Sequence, residues 1–179
     1  MYSGNGVSVI LCCYNSVKRL NKTLKALANQ KFDEAINVEI IVVDNASTDH
    51  TAEYANSIWE SLNTVIKLRN VHQPIPGLGN ARKTGISAAT YPYVLFCDDD
   101  NWLSPNYIND GFHILNNNLN IGACGGMGIP IFEIDKPFWF DEYAESFAVG
   151  SQQIVKVKGK QLSLYGAGLM LKKDIIYQL

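Results

Sequence analysis

Apolar residues arrive in short unbroken runs, and between the runs they recur at three- and four-residue intervals. Residues 7–13 and 38–43 are β-branched and apolar and predict two buried strands. A shorter third is predicted at 65–68, and a fourth runs from Tyr93 toward Asp98. After the first strand, Asn15 or Ser16 can cap a helix with Val17, Leu20, Leu24 and Leu27 inward and Lys18, Arg19, Lys22 and Lys25 facing away. Ser47, Thr48 and Asp49 offer caps for a second helix, which carries Tyr54, Ala55, Ile58, Trp59 and Leu62 inward. A Pro/Gly-rich loop at 73–79 feeds a third over 80–89. Ser104-Pro105 starts a fourth, with Ile108, Phe112, Leu115 and Leu119 inward. Strand and helix in alternation predict an α/β fold: a mixed, mostly parallel sheet with helices on both faces.

The last third reads differently. Residues 121–126 form a glycine-loosened strand, and 153–164 alternate as an antiparallel strand would. Between them, 136–147 mix aromatic and acidic residues and predict a loop or short helix over the sheet, a satellite patch or part of an acceptor wall. Residues 171–179 predict the start of a helix, so the chain is expected to be a piece of a longer protein. Its 179 residues fit one domain. A net charge of −2 leaves no basic footprint for nucleic acid. No apolar run reaches the roughly 18 residues of a membrane span. Cys12, Cys13, Cys97 and Cys124 lack zinc spacing, and free thiols in apolar strands fit a reduced, cytoplasmic setting.

Chemistry concentrates where the strands stop. The fourth runs straight into Asp98-Asp99-Asp100. Two carboxylates about 6 Å apart repel by roughly 3 kcal/mol at an effective dielectric of about 20. Such a cluster asks for a counter-charge, and an oxygen-preferring divalent cation supplies one. A solvated acidic turn, with Asp99 capping the next helix, is the plainer alternative. Tyr14-Asn15 follows the first strand and Asp44-Asn45 the second. In a parallel sheet all three breaks share the carboxyl rim, where ligands bind. An aromatic face, a separate carboxylate and an acidic cluster together suit a nucleoside diphosphate.

The runs 7–15 and 39–49, with Gly79-Asn80-Ala81-Arg82-Lys83-Thr84-Gly85 and Phe96-Cys97-Asp98-Asp99-Asp100, resemble the opening of family 2 glycosyltransferases of GT-A fold, and the resemblance covers roughly the first two-thirds of this chain. Residues 166–173 resemble that family's segment near the acceptor site, with Lys172-Lys173 where Arg is frequent. Cys12-Cys13 departs from the Pro-Thr usual before Tyr-Asn. The resemblance implies a Rossmann-like nucleotide-diphospho-sugar transferase, with residues 7–120 as its nucleotide-sugar half and 121–179 as the start of its acceptor side. It implies that Cys13, by its backbone, Tyr14, Asn15 and Asp44 meet the nucleotide, that Arg82 holds base or diphosphate, and that Asp98 reaches ribose or metal. Asp99 or Asp100 would ligate Mg²⁺ or Mn²⁺, Asp100 being the first choice because it closes the D-x-D pattern.

The chemistry so implied is inverting transfer from a nucleotide-diphospho-sugar to a saccharide or lipid-linked saccharide hydroxyl. Polysaccharide assembly at the inner face of a membrane is the setting the family suggests. The catalytic base is expected beyond Leu179, since Glu133, Asp135, Asp141, Glu142 and Glu145 lie outside the matching motif. Two rivals are a sugar nucleotidyltransferase, which should carry a basic Gly-rich loop where Cys-Cys-Tyr-Asn-Ser stands, and a non-catalytic nucleotide-sugar-binding protein.

Overall fold

In the computed structural model, which describes residues 4–150 and 164–176, a six-stranded sheet carries helices on both faces. The elements that build it are β1 (Gly6–Cys13), α1 (Leu20–Ala28), β2 (Asn37–Asp44), α2 (Thr51–Ser61), β3 (Lys67–His72) and α3 (Leu78–Ala88). They continue with β4 (Tyr93–Asp98), α4 (Tyr107–Asn117), β5 (Ala123–Cys124), α5 (Phe140–Tyr143), β6 (Met170–Lys172) and α6 (Lys173–Ile176). The strand order is β3-β2-β1-β4-β6-β5. The first four named in that order run parallel, and β6 lies antiparallel to both β4 and β5.

Burial on both faces explains why β1 reads as an unbroken apolar run. Val7, Val9, Leu11 and Cys13 join Leu20, Leu24 and Leu27 of α1, Ala55 and Trp59 of α2, and Ile108, Phe112 and Leu115 of α4 in one core. Ile10 turns the other way, to Ile41, Val43, Val94, Phe96 and Ala81 of α3. Gly85 has no side chain because α3 lies against Ile10, which a Cβ there would strike. That close approach sets the height of Arg82, three residues earlier on the same helix.

Four expectations need correction. Helix α1 begins at Leu20, because Ser16 first closes a tighter turn through its carbonyl to the Arg19 and Leu20 N–H groups at 2.9 and 3.0 Å. Strand β3 starts later and ends later than 65–68: Val65 is exposed, Ile66 O accepts the Trp59 indole N–H at 2.9 Å, and pairing with β2 begins at Lys67. Leu119 is 91% exposed rather than inward, since the backbone at Asn118 is extended and ends α4 before it. Arg19 does not face away; it turns onto Asp99. The antiparallel strand expected at 153–164 lies outside the described residues except for Leu164. In 136–147, Trp139 packs near Phe140, Tyr143 and Phe147 around α5, apart from both main cores.

Candidate nucleotide-binding rim

In register, Cys13 pairs with Asp44, Cys12 with Asp98 and Asp44 with His72, so the polar ends of four strands stand side by side. Chain order reverses between β1 and β4, with β2 and β3 to one side, and that is where an open α/β sheet leaves its crevice.

The loops at this rim are tied to one another. Asn15 takes a left-handed backbone, φ +50°, which asparagine tolerates. Its N–H donates to Ser47 Oγ at 3.1 Å and its side-chain oxygen accepts the Thr48 N–H at 2.9 Å. Tyr14 beside it is left 57% exposed. Asp44 accepts the Ser47 N–H on one carboxylate oxygen at 3.2 Å, and its other oxygen stands 3.8 Å from His72 Nδ1. Asn45 is buried and pins the Pro/Gly loop: its amide donates to the Gln73 and Ile75 carbonyls at 3.0 and 2.7 Å and accepts the Gly77 N–H at 2.8 Å.

The pleat splits the acidic triplet. Asp98 falls on the α3 face of β4, where Arg82 Nη2 lies 4.0 Å from its carboxylate. Asp99 falls on the other face. It accepts a hydrogen bond from the Ser16 hydroxyl and an ion pair at 2.6 Å from Arg19, while its carbonyl accepts the Thr23 hydroxyl at 2.9 Å. Asp99 therefore ties α1 to the end of β4, and only 13% of its side chain is exposed. Burial raises the Asp98 pKa above the ordinary carboxylate range; Arg82 opposes the rise, and Asp100 and then Asp99 add to it. A carboxylate so placed gains from an added cation.

Arg82 carries the sharpest signal. Its guanidinium carbon sits 5.0 Å from the centre of the Phe96 ring, a cation–π distance, and its Nε is buried with no hydrogen-bond partner among the described residues. An unpaired buried donor is costly in a finished core and expected in a site awaiting an anion.

Of the residues the sequence nominates, Tyr14, Asn15, Asp44, Arg82, Asp98 and Asp100 belong to this rim. The side chains of Cys13 and Asp99 are turned from it, the Cys13 thiol being buried in the main core, while the Cys13 backbone, the part nominated, stands beside Asp44 and its carbonyl accepts the Asn45 N–H at 2.8 Å. The period-2 alternation of β1 sends the Cys13 side chain into the main core and puts Cys12, given no role by the motif, on the side of Arg82 and Asp98. Burial pushes the Cys12 thiol up to about 12 despite the Arg82 charge, so it stays protonated. The motifs contain Asn45 and Phe96 without giving either a role and leave out His72, because their roles come from loop closure and register.

Among the described residues no three His, Cys, Asp or Glu side chains form a set able to hold a metal ion. The Asp98–Asp100 pair nevertheless fits Mg²⁺ or Mn²⁺ chemically. Two hard carboxylates suffice where substrate phosphates and water complete the coordination. A concavity of ≈ 700 Å³ lies at the opposite end of the sheet, beside Glu39, Arg69, Thr90 and Tyr91, away from this chemistry. No helix among the described residues is long and apolar enough to cross a membrane.

Comparison with known proteins bears on the family and the fold. The family described as Glycosyl transferase family 2 matches residues 8–179. The chain is 28% identical over 129 residues to poly(ribitol-phosphate) beta-N-acetylglucosaminyltransferase TarS of Staphylococcus aureus, covering 69% of this chain and 22% of that protein. It is 31% identical over 102 residues to glycosyltransferase GlyA of Streptococcus pneumoniae, covering 57% of this chain and 14% of that one. The chain thus spans less than a quarter of either relative's length. Among solved structures, S. aureus TarS 1-349 in complex with UDP superposes with a TM-score of 0.73 at 19% identity, over 97% of this chain and 48% of that one. Mannosyltransferase PcManGT of Pyrobaculum calidifontis, in complex with GDP-Man and Mn²⁺, gives 0.67 at 22% identity, over 96% and 46%. These identities speak for the fold, which is the mixed, mostly parallel GT-A architecture expected.

Proposed function

The chain belongs to glycosyl transferase family 2, and from that premise we propose that its carboxyl rim binds a nucleotide-diphospho-sugar and presents the sugar for inverting transfer to an acceptor hydroxyl. The observation that carries the reading is Arg82: a guanidinium held by Phe96 and Asp98, with one buried donor unpaired among the described residues, at the switch point of the sheet.

In this reading the exposed Tyr14 ring stacks on the base. Asp44, held by Ser47 on one oxygen, accepts from base N–H or ribose hydroxyl groups on the other. Arg82 meets the diphosphate, where a planar guanidinium binds two oxygens at once. Asp98 and Asp100 hold Mg²⁺ or Mn²⁺, which when bound neutralises charge growing on the leaving diphosphate. Asp99 orients the triplet from beneath. Residues 7–120 form the donor half and 121–179 begin the acceptor side, where a saccharide or lipid-linked saccharide hydroxyl approaches. The PcManGT complex with GDP-Man and Mn²⁺ and the TarS complex with UDP support the ligand class.

The acceptor proton passes to a carboxylate facing the sugar from the side opposite the diphosphate. We assign that base to none of the described carboxylates; Asp141, for one, is paired with Lys136 at 2.7 Å. This chain then binds donor and turns it over poorly. Polysaccharide assembly in a reducing, cytoplasmic compartment at the inner membrane face is the setting we propose, and the four free thiols suit it.

Calorimetric titration with UDP, GDP and dTDP, with and without Mn²⁺, tests the reading. One nucleotide should bind, about tenfold or more tightly with the ion, a gain of about 1.4 kcal/mol. Failure of all three to bind, or affinity indifferent to Mn²⁺, overturns it.

A further inference from the structure

Gly166 is a glycine its own backbone does not require. Gly168, two residues on, has φ +75° and needs glycine for that reason. Gly166 does not lie in the left-handed region. What a side chain at 166 would meet is Arg82: a Cβ there would fall well inside van der Waals contact of Nη2 and within 3.1 and 3.2 Å of Nη1 and Cζ.

The turn that carries Gly166 is fastened to the same strand residue that supports the guanidinium. The Phe96 N–H donates to the Leu169 carbonyl at 2.9 Å, and the Phe96 carbonyl accepts the Gly168 N–H at 3.0 Å. From the other side the Tyr107 hydroxyl donates to the Gly168 carbonyl at 2.6 Å. Turn 166–169 and the Phe96 ring thus bound a slot, and Arg82 occupies it with Nε buried.

We infer that Gly166 is a positioning residue for Arg82, so that the turn on the acceptor side of the fold sets where the diphosphate-binding guanidinium sits. The inference rests on the reading of Arg82 given above. Its physical content is that the atom which must move on substitution is the far end of a flexible side chain. Alanine at 166 displaces the guanidinium and leaves the backbone in place, so it should impair binding while sparing the fold.

The test is a double-mutant cycle on the full 179-residue chain, using whichever of UDP, GDP and dTDP the wild type binds, with Mn²⁺. Arg82→Ala should weaken affinity about tenfold or more, Gly166→Ala about fivefold or more, and Gly166→Ala/Arg82→Ala no further than Arg82→Ala alone. Gly166→Ala should melt with the wild type. If instead it melts early, Arg82→Ala should restore the melting temperature, because the clash partner is gone; melting that Arg82→Ala does not restore overturns the inference. So does wild-type affinity in Gly166→Ala beside a weakened Arg82→Ala, and so do additive losses in the double variant. Wild-type affinity in Arg82→Ala overturns the role assigned to Arg82 itself, a distinct failure.

Discussion

The two ends of one sheet each carry a carboxylate–arginine pair, in opposite conditions. At the amino end Glu39 meets Arg69 at 3.2 Å; at the carboxyl end Asp98 meets Arg82 at 4.0 Å. Glu39 is fully engaged. Its carboxylate accepts the Ser8 hydroxyl at 2.7 Å and the Thr90 N–H at 2.8 Å, while Arg69 also donates to the Ala88 carbonyl. Lys173 closes the same end by donating to the Ala89 carbonyl at 2.6 Å. At the other end the Arg82 Nε is buried with no hydrogen-bond partner among the described residues, and Asp98 has the like charge of Asp100 near it. Burial acts to raise both carboxyls. At Glu39 the hydrogen bonds from Ser8, Thr90 and Arg69 outweigh it and the pKa falls; at Asp98 Arg82 alone opposes, and the pKa rises. A satisfied network holds the chain together, whereas an unsatisfied one waits for a ligand.

The comparison breaks most visibly by substitution at its satisfied end. Glu39→Ala leaves Arg69, the Ser8 hydroxyl and the Thr90 N–H without their acceptor and should cost about 3 kcal/mol, read by urea unfolding. Asp98→Ala should cost no stability yet weaken nucleotide binding about tenfold. Stability loss in Asp98→Ala with affinity intact would reverse the assignment. Asp99→Ala should fall between, at about 1–2 kcal/mol, because it strands Ser16 and a partly exposed Arg19.

A smaller effect, of opposite sign at the two ends, should appear with pH. Glu39 has a folded pKa below its ordinary 4.5, so its stabilisation is present above pH 4.5 and fades as pH falls through the folded value. Asp98 has a folded pKa above 3.8, so its contribution is fully present below 3.8 and is lost as pH rises through the folded value. Melting series from pH 3 to 7 should therefore show Glu39→Gln losing less on acidification than the wild type. Asp98→Asn should be at least as stable as the wild type at pH 7. Parallel curves for all three proteins would contradict both assignments.

The carboxyl rim was legible in sequence because its strands are buried on both faces. Their apolar runs end abruptly, and Tyr14, Asp44 and Asp98 mark the places. The amino-end network was not: Glu39 sits among apolar residues, and Ser8, Arg69 and Thr90 meet it only through register. Strand β3 escaped correct placement because an edge strand of Lys67, Arg69, Asn70 and His72 has no hydrophobic signature. Strands β5 and β6 are two and three residues long, so pairing and not composition defines them. The division of Asp98 from Asp99 falls where β4 ends and the turn begins, and a motif read as a unit conceals it.

The central claim is that Asp98 and Asp100, and not Asp99, couple a divalent cation to nucleotide binding at this rim. The most direct measurement is the ratio of nucleoside diphosphate affinity with and without Mn²⁺ in Asp98→Ala, Asp99→Ala and Asp100→Ala beside the wild type. The account predicts a ratio near one for Asp98→Ala and Asp100→Ala and a wild-type ratio for Asp99→Ala. A ratio lost only in Asp99→Ala, or kept in all three, would contradict it.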